Sequence, residues 1–397
     1  MEKMTVIVAF GGISPEHEVS VLTAMQAIHT FDPEHFKTIP LYITKSGQWL
    51  TGPDLKKLEH YEQLEKINEI GVPCSFARNS YGKTVLKEQK SGFFQKTKEY
   101  PVDLVLVSFH GSDGENGAFQ GVCETFNIPY TGCDVLSSAI GMNKVTAKMI
   151  CRLNGISVVD DVHFNEAEWE TGQNKIEKSI KELGYPVVVK PVNLGSSIGV
   201  SMVKDKGELR AAVELAFRYD EHLLVEKAVK PLMEINCSVL GDVSNAKASV
   251  CERPLGKEEL LSFTDKYIGE SGDMKGMASA DRKIPADIPD SLSEQIRQTS
   301  LDIFKVFGAS GVSRLDFLVN SDTNEFFFNE INTIPGSFSY YLWEASEVTF
   351  AQLLNRLIKQ ANKRHRKKNG RVQSYETNLL SEKAVKGLKG LKGEKNQ

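Results

Sequence analysis

Three runs of β-branched and other apolar residues, each closing on a glycine-rich loop, constrain the fold of this 397-residue chain most strongly. They are TVIVAF (5–10) before GGISP, VDLVLVSFH (102–110) before GSDGENGAFQG, and YPVVVK (185–190) before PVNLGSSIGVSMV. Continuous apolar runs of this length read as strands buried on both faces, and loops at their ends are where open α/β sheets hold ligands. After the first run, EHEVSVLTAMQAIHTF repeats its apolar residues at helical spacing, so strand, glycine turn and helix follow one another. Residues 1–135 are therefore expected to form an open α/β layer, with a charged helix near 54–69 and a hairpin after it.

A second domain is expected over 136–225: one helix over SSAIGMNKVTAKMICRLNGI, a charged helix, and two strands joined by the Gly-Ser loop. Residues 226–362 read as a third domain with strands LLVEK, MEINCSVLG, ASVCERPL, SRLDFLVN and EFFFNEINT, a helix near 291–307, and a closing helix FAQLLNRLIKQAN. From 363 to 397 the chain turns basic and glycine-punctuated, with too little apolar surface to offset ordering entropy, and is expected to be a disordered tail. The fold class is α/β (α+β).

A formal net charge of -4 and a pI near 6.1 supply no basic field for nucleic acid or an anionic membrane. No apolar run approaches the roughly 20 residues that span a bilayer. The six cysteines show no CxxC pair, which suits a reducing cytoplasm, and the apolar start is too short for a signal peptide.

Asp316 in SRLDF and Glu330 and Asn332 in NEIN are hard oxygen donors suited to Mg²⁺ on substrate phosphates. Alternation puts Glu330 and Asn332 on one strand face, and Arg314 on the face of Asp316. In a hairpin the two faces coincide when Asn320 pairs with Phe326; pairing Asn320 with Glu325 would set Asp316 opposite Asn329. Lys190 closes an apolar strand before a loop of small residues, able to present an ammonium and backbone N–H groups to phosphate. The spacing matches neither GxxxxGK[ST] nor GxGxxG. Lys144, with Lys148 one turn on, reads as a solvated helix face; Glu226 and Glu234 either meet a nucleotide or cap a sheet edge. Residues 260–283 form a long polar loop carrying Lys266 and Tyr267, the length and composition of a lid.

In order along the chain, GGISPEHEVS, HGSDGENGAFQG, YTG, GMNKVTAK, VVVKPVNLGSSIGVS, EKAVKPLMEINCSVLG, DKY, SRLDF and NEINTIPG resemble the D-alanine:D-alanine ligase family of ATP-grasp enzymes. The resemblance spans about 5–358 and implies a three-domain ATP-grasp fold with ATP between the central and C-terminal sheets. It implies that Lys144 and Lys190 hold phosphates under the loop Gly195, Ser196, Ser197 to Gly199. Glu226 would meet adenine beside Lys227, Ala228 and Val229, and Glu234 the ribose. Asp316, Glu330 and Asn332 would bind two Mg²⁺ ions, for which Mn²⁺ could substitute, and Lys266 would reach the γ-phosphate. Glu16 would take the first amino acid's ammonium and form a latch with Ser196 and Tyr267. Arg314 and the Gly336 N–H would face an oxyanion, and His110, Arg314, Ser339 and Tyr341 would line the amino-acid sites. The implied reaction joins two D-alanines through an acyl phosphate for peptidoglycan precursors, in a cytoplasmic homodimer.

Two departures bear on this. Asn143 stands where many members have Asp, and Tyr341 stands where a serine usually helps bind the second substrate's carboxylate. The alternatives are the same mechanism with D-serine, D-lactate or another amino acid as acceptor, and a non-catalytic ATP-binding module.

Overall fold

The computed structural model describes residues 3–89, 97–255 and 281–374. Within Met1–Asn362, which forms one compact unit, three sheets carry the chain. The first contains β1 (Met4–Gly11), β2 (Phe36–Ile43), β3 (Trp49–Thr51), β4 (Val72–Arg78), β5 (Thr84–Glu88), β6 (Glu99–Pro101) and β7 (Leu104–Val107). Its order is β6-β5-β4-β3-β2-β1-β7, with β1 parallel to β2 and β7. Helix α1 (His17–Thr30) follows β1, and α2 (Ala118–Thr125) follows the loop after β7. Val6 to Phe10 and Leu104 to Leu106 are fully buried, as two-faced burial of apolar runs requires.

No continuous helix covers 54–69. The chain makes successive 3₁₀ turns, Pro53–Lys56, Leu58–Tyr61 and Leu64–Lys66, before the short helix Ile67–Ile70. Leu55, Leu58, Tyr61, Leu64, Ile67 and Ile70 recur every third residue, the 3₁₀ period rather than the α period.

The helix expected after residue 136 is two helices, α3 (Val135–Met142) and α4 (Lys144–Leu153). Asn143 is extended and its side chain accepts from the Thr146 N–H, so it stops one helix and caps the next. The second sheet is antiparallel, in the order β10-β9-β11-β8, formed by β8 (Asp161–Asn165), β9 (Val187–Pro191), β10 (Ser201–Val203) and β11 (His222–Lys227). Helices α5 (Glu166–Leu183) and α6 (Lys206–Ala216) cover it. Strand β11, which a boundary at 225/226 would divide, belongs wholly to this sheet, because Glu226 pairs across to both Asp161 and Val188.

The third sheet, order β14-β13-β12-β15-β16, contains β12 (Leu232–Gly241), β13 (Lys247–Pro254), β14 (Arg282–Lys283), β15 (Gly311–Asn320) and β16 (Phe326–Asn332). Helix α7 (Asp290–Val306) packs Ile296, Ile303 and Phe304 against it. Arg282 and Lys283, assigned above to the loop over 260–283, pair with Pro254 and Arg253; residues 260–280 of that loop, with Lys266 and Tyr267, lie outside the described residues.

The β15–β16 turn adopts the register that the face argument had set aside. The Asn320 N–H donates to the Glu325 carbonyl at 2.8 Å, and Val319 stands opposite Phe326. A β-bulge then inserts Asn329, so that Asp316 pairs with Glu330 and Arg314 with Asn332. One extra residue moves every later side chain to the other face, which restores the coincidence of the two faces.

Helix α8 runs Phe350–Asn369, beyond Asn362 where the basic tail was expected to begin. Lysine and arginine favour helix, and cations in a last turn face the negative end of the helix dipole. Residues 375–397 of that expected tail lie outside the described residues.

Candidate functional site

Glu16 precedes α1, and its side chain does not cap the helix. Its buried carboxylate instead accepts from the Ser196 hydroxyl in the β9–β10 loop. Ser196 and Ser197 hold left-handed backbone (φ 53° and 58°), a conformation that non-glycine residues adopt at a cost. Beneath Glu16 the chain needs Gly111: φ is +68°, and a Cβ there would come within 2.6 Å of Glu16 Oε2. His110, fully enclosed, pairs its Nε2 with Thr23 Oγ1 at 2.8 Å, and burial pulls its pKa down to about 4.

Glu115 was not singled out in the sequence, although the block HGSDGENG contains it. It accepts from the N–H groups of Gly111 (3.0 Å) and Ile334 (3.1 Å) and from Thr333 Oγ1 (3.4 Å). It therefore joins the first layer to the loop after β16. Burial, and next the charge of Glu16, push its carboxyl up to about 7.

On the third sheet, Arg314 donates to Asp316 twice, Nε to Oδ1 and Nη2 to Oδ2, each at 2.7 Å. Asn332 Nδ2 donates to Asp316 Oδ2 at 3.0 Å. Lys144, the first residue of α4, meets Glu330 Oε2 at 3.1 Å and donates to the Leu194 carbonyl. Lys190 donates to Asn329 Oδ1 at 2.9 Å and meets Glu226 Oε2 at 2.5 Å. Lys148 is no solvated lysine: it is buried against Glu226 and, at 3.3 Å, Asp161 Oδ1. Burial works to raise the Glu226 pKa, but Lys190 and Lys148 outweigh it and hold the carboxyl at about 2. Glu234 on β12 adds to the field at Lys190. At the strand end, the Ala228 N–H is committed to the Pro186 carbonyl, and Lys227 is exposed.

Beyond Gly336, Ser337, Phe338 and Ser339 are all left-handed (φ 53°, 52° and 49°), a tight reversal anchored by the Ser337 N–H on Thr23 Oγ1 at 3.0 Å. Ser339 is fully buried and its hydroxyl has no hydrogen-bond partner among the described residues. Tyr341 donates to Glu252 Oε1 at 3.2 Å. The Arg282 guanidinium stacks 4.0 Å from the centre of the Tyr341 ring and donates to Glu252 Oε2 at 2.6 Å. Tyr341 lies near Arg314 as well, so the oxyanion and acceptor candidates share one wall.

The structure thus brings together residues from all three sheets: Glu16 with Ser196, Lys144 with Glu330, and Asp316 with Arg314 and Asn332. Lys148, Glu115, Asn329, Arg282 and Glu252 join them without having been picked out. Only Lys148 had been weighed, and spacing alone could not separate a buried helix face from a solvated one.

The D-ala D-ala ligase N-terminus model matches residues 5–133 and the D-ala D-ala ligase C-terminus model residues 150–359. A relative from Thermosipho melanesiensis, named D-alanine–D-alanine ligase, is 37% identical over 95% of this chain and 98% of its own length. The solved VanG D-Ala:D-Ser ligase of Enterococcus faecalis is 32% identical, with TM-score 0.76, covering 91% of this chain and 100% of that one. A D-alanine–D-alanine ligase of Bacillus anthracis, solved in complex with ATP, is 25% identical with TM-score 0.64, covering 92% and 99%. With both family models matched in order and the fold shared across nearly the whole length, the chain belongs to the D-alanine–D-alanine ligase family.

Proposed function

We propose that the chain joins two molecules of D-alanine into D-alanyl-D-alanine while converting ATP to ADP and phosphate, as a cytoplasmic homodimer supplying peptidoglycan precursors. The observation that carries this reading is the meeting of Asp316, Glu330 and Asn332 on one sheet edge with Lys144 and Lys190 from the preceding domain.

The donor set suits a divalent cation. Asp316 and Glu330 are cross-strand neighbours with hard oxygens, now neutralised by Arg314 and Lys144, and rotating the Asn332 amide would present its oxygen. Two Mg²⁺ ions, or Mn²⁺ in their place, held by these three residues would offset phosphate charge.

Around them the protein groups divide the work. Lys144 and Lys190 hold phosphate oxygens, Ser197 and the backbone of Gly195 cover them, and Glu226 and Glu234 address adenine and ribose beside Ala228 and Val229. Glu16, kept in place by Ser196, receives the ammonium of the first D-alanine, with neutral His110 beside it. That substrate's carboxylate oxygen bonds to the γ-phosphorus as the bond to ADP breaks, giving an acyl phosphate. The second D-alanine's amine then adds to the carbonyl. The remaining N–H groups of Arg314 and the Gly336 N–H stabilise the oxyanion; the carbonyl C–O bond to phosphate then breaks, and the phosphate departs with its electron pair and takes up the proton that the amine sheds. The partnerless Ser339 hydroxyl offers a donor to the acceptor's carboxylate. Lys266 and Tyr267 would close the site over the γ-phosphate and the Glu16–Ser196 pair.

Incubation with ATP, Mg²⁺ and D-alanine tests the reading: ADP and dipeptide should appear together, and neither forming would overturn it. Tyr341, held by Glu252 and Arg282, favours a second reading in which D-serine or another amino acid is the acceptor. A panel of acceptors analysed by mass spectrometry decides between them.

A further inference from the structure

Lys148 has no part in the chemistry above, yet its side chain is 0% exposed and touches two carboxylates, Glu226 and Asp161. Burying an ammonium is costly unless its partners are held in place. Asp161 is itself shared with Arg152 and, at 3.6 Å, His163, whereas Glu226 faces only two ammoniums among the ion pairs of the described residues. Lys148 takes one of its oxygens, Oε1, and Lys190 takes the other, Oε2.

These two cations differ in what else they can do. Lys148 sits one helical turn behind Lys144, enclosed by β8 and β11. Lys190 also touches Asn329 at the bulge and is the group that the nucleotide reading turns toward phosphate. When it does so, Oε2 is released toward the base. Without Lys148, Glu226 would then be a buried carboxylate with no counter-ion, and such a group takes up a proton. A protonated carboxyl donates where an ionised one accepts, so its preference for the base would invert.

We infer that Lys148 is a specificity-determining positioning residue, which keeps Glu226 an ionised acceptor for the 6-amino group of adenine once Lys190 has moved to the phosphates. The inference rests on the nucleotide reading above. Lys190 guards the carboxylate in the free protein, and Lys148 remains behind it in the complex; 6-oxo purines, which offer an acceptor at that position, are refused.

The test uses the full chain with D-alanine and Mg²⁺, and compares kcat/KM for ATP and for ITP, a 6-oxo purine nucleotide. Lys148→Met should lower the ATP-to-ITP ratio at least tenfold, mainly through KM for ATP, and Lys148→Arg should restore it. Because Lys148 acts through Glu226, the double variant K148M/E226Q should match E226Q alone. That pair keeps the question open to measurement if K148M does not fold, since the double variant removes cation and anion together. An unchanged ratio in folded K148M, or a further tenfold fall from E226Q to the double variant, overturns the inference. If the wild-type protein neither binds nor turns over ATP, the nucleotide reading fails and the inference with it.

Discussion

Lys190 Nζ donates to Asn329 Oδ1 at 2.9 Å, and Asn329 is the one residue that β16 inserts without a partner on β15. The same bulge that aims this amide at the lysine places Glu330 opposite Asp316. The Lys190 contact and the Asp316–Glu330 pairing are thus set by a single irregularity in the ladder. Asn329→Ala removes the contact and keeps the extra residue; KM for ATP should rise about fivefold, the effect of roughly 1 kcal/mol. Deleting Asn329 loses the same contact but leaves Glu330 opposite Asp316 in a ladder without a bulge, so that variant should keep its Mg²⁺-dependent turnover. Steady-state kinetics on both variants checks this.

Ser196→Ala takes away the hydroxyl that Glu16 accepts from. A hydrogen bond to a charged group contributes about 1.5–3 kcal/mol, so kcat/KM for D-alanine should fall roughly 10- to 100-fold. Nucleotide affinity, measured by calorimetry, should change far less.

Glu115 links pH to stability. Its carboxyl moves from 4.5 to about 7 on folding, chiefly through burial, so between those values the folded protein holds a proton that the unfolded chain has released. Stability from this group is therefore present below about pH 4.5 and is lost as pH rises through 7. The shift corresponds to roughly 3 kcal/mol at full loss. Glu115→Gln cannot ionise, so relative to wild type it should gain stability between pH 5 and pH 8. Urea denaturation of the metal-free and nucleotide-free proteins at both values measures the difference; a constant offset counts against the buried-carboxyl account.

The Ser339 hydroxyl is buried without a partner among the described residues, which is a cost to the free protein. Ser339→Ala should leave thermal stability unchanged or raise it slightly, while KM for the acceptor amino acid rises several-fold and that for the donor does not. A drop in melting temperature with unaltered acceptor KM would show that the hydroxyl serves packing alone.

Asp316 and Glu330 should carry the metal dependence. Glu330→Gln leaves Lys144 (3.1 Å from the carboxylate in the present structure) beside a neutral amide. The variant should fold, need roughly tenfold or more Mg²⁺ for half-maximal rate, and turn over at least 100-fold more slowly, since losing a group that merely hydrogen-bonds a metal ligand already costs about 10–100-fold. A Mg²⁺ titration of the rate checks it.

The local chain announces the parts of this molecule that depend on alternation and composition. TVIVAF, VVVK and the Phe-rich run before Glu330 are apolar beyond what a half-exposed strand uses, so their burial and the loops at their ends follow from residue types alone. The oxygen donors and Lys190 were legible for the same reason: few other roles suit such groups beside an apolar strand. The 3₁₀ turns over 53–66 were also written in the sequence, in a period of three that a helical reading passes over.

What the tertiary structure alone decided concerns distance between segments remote in sequence. Whether Lys148 faces water or Glu226, whether Glu115 reaches Ile334, and whether Asp316 meets Glu330 or Asn329 depend on one-residue shifts and on which helix covers which sheet. Composition is blind to these choices, because a lysine at helical spacing, or a strand with one residue more, has the same residues in either arrangement; only the packed partners select between them.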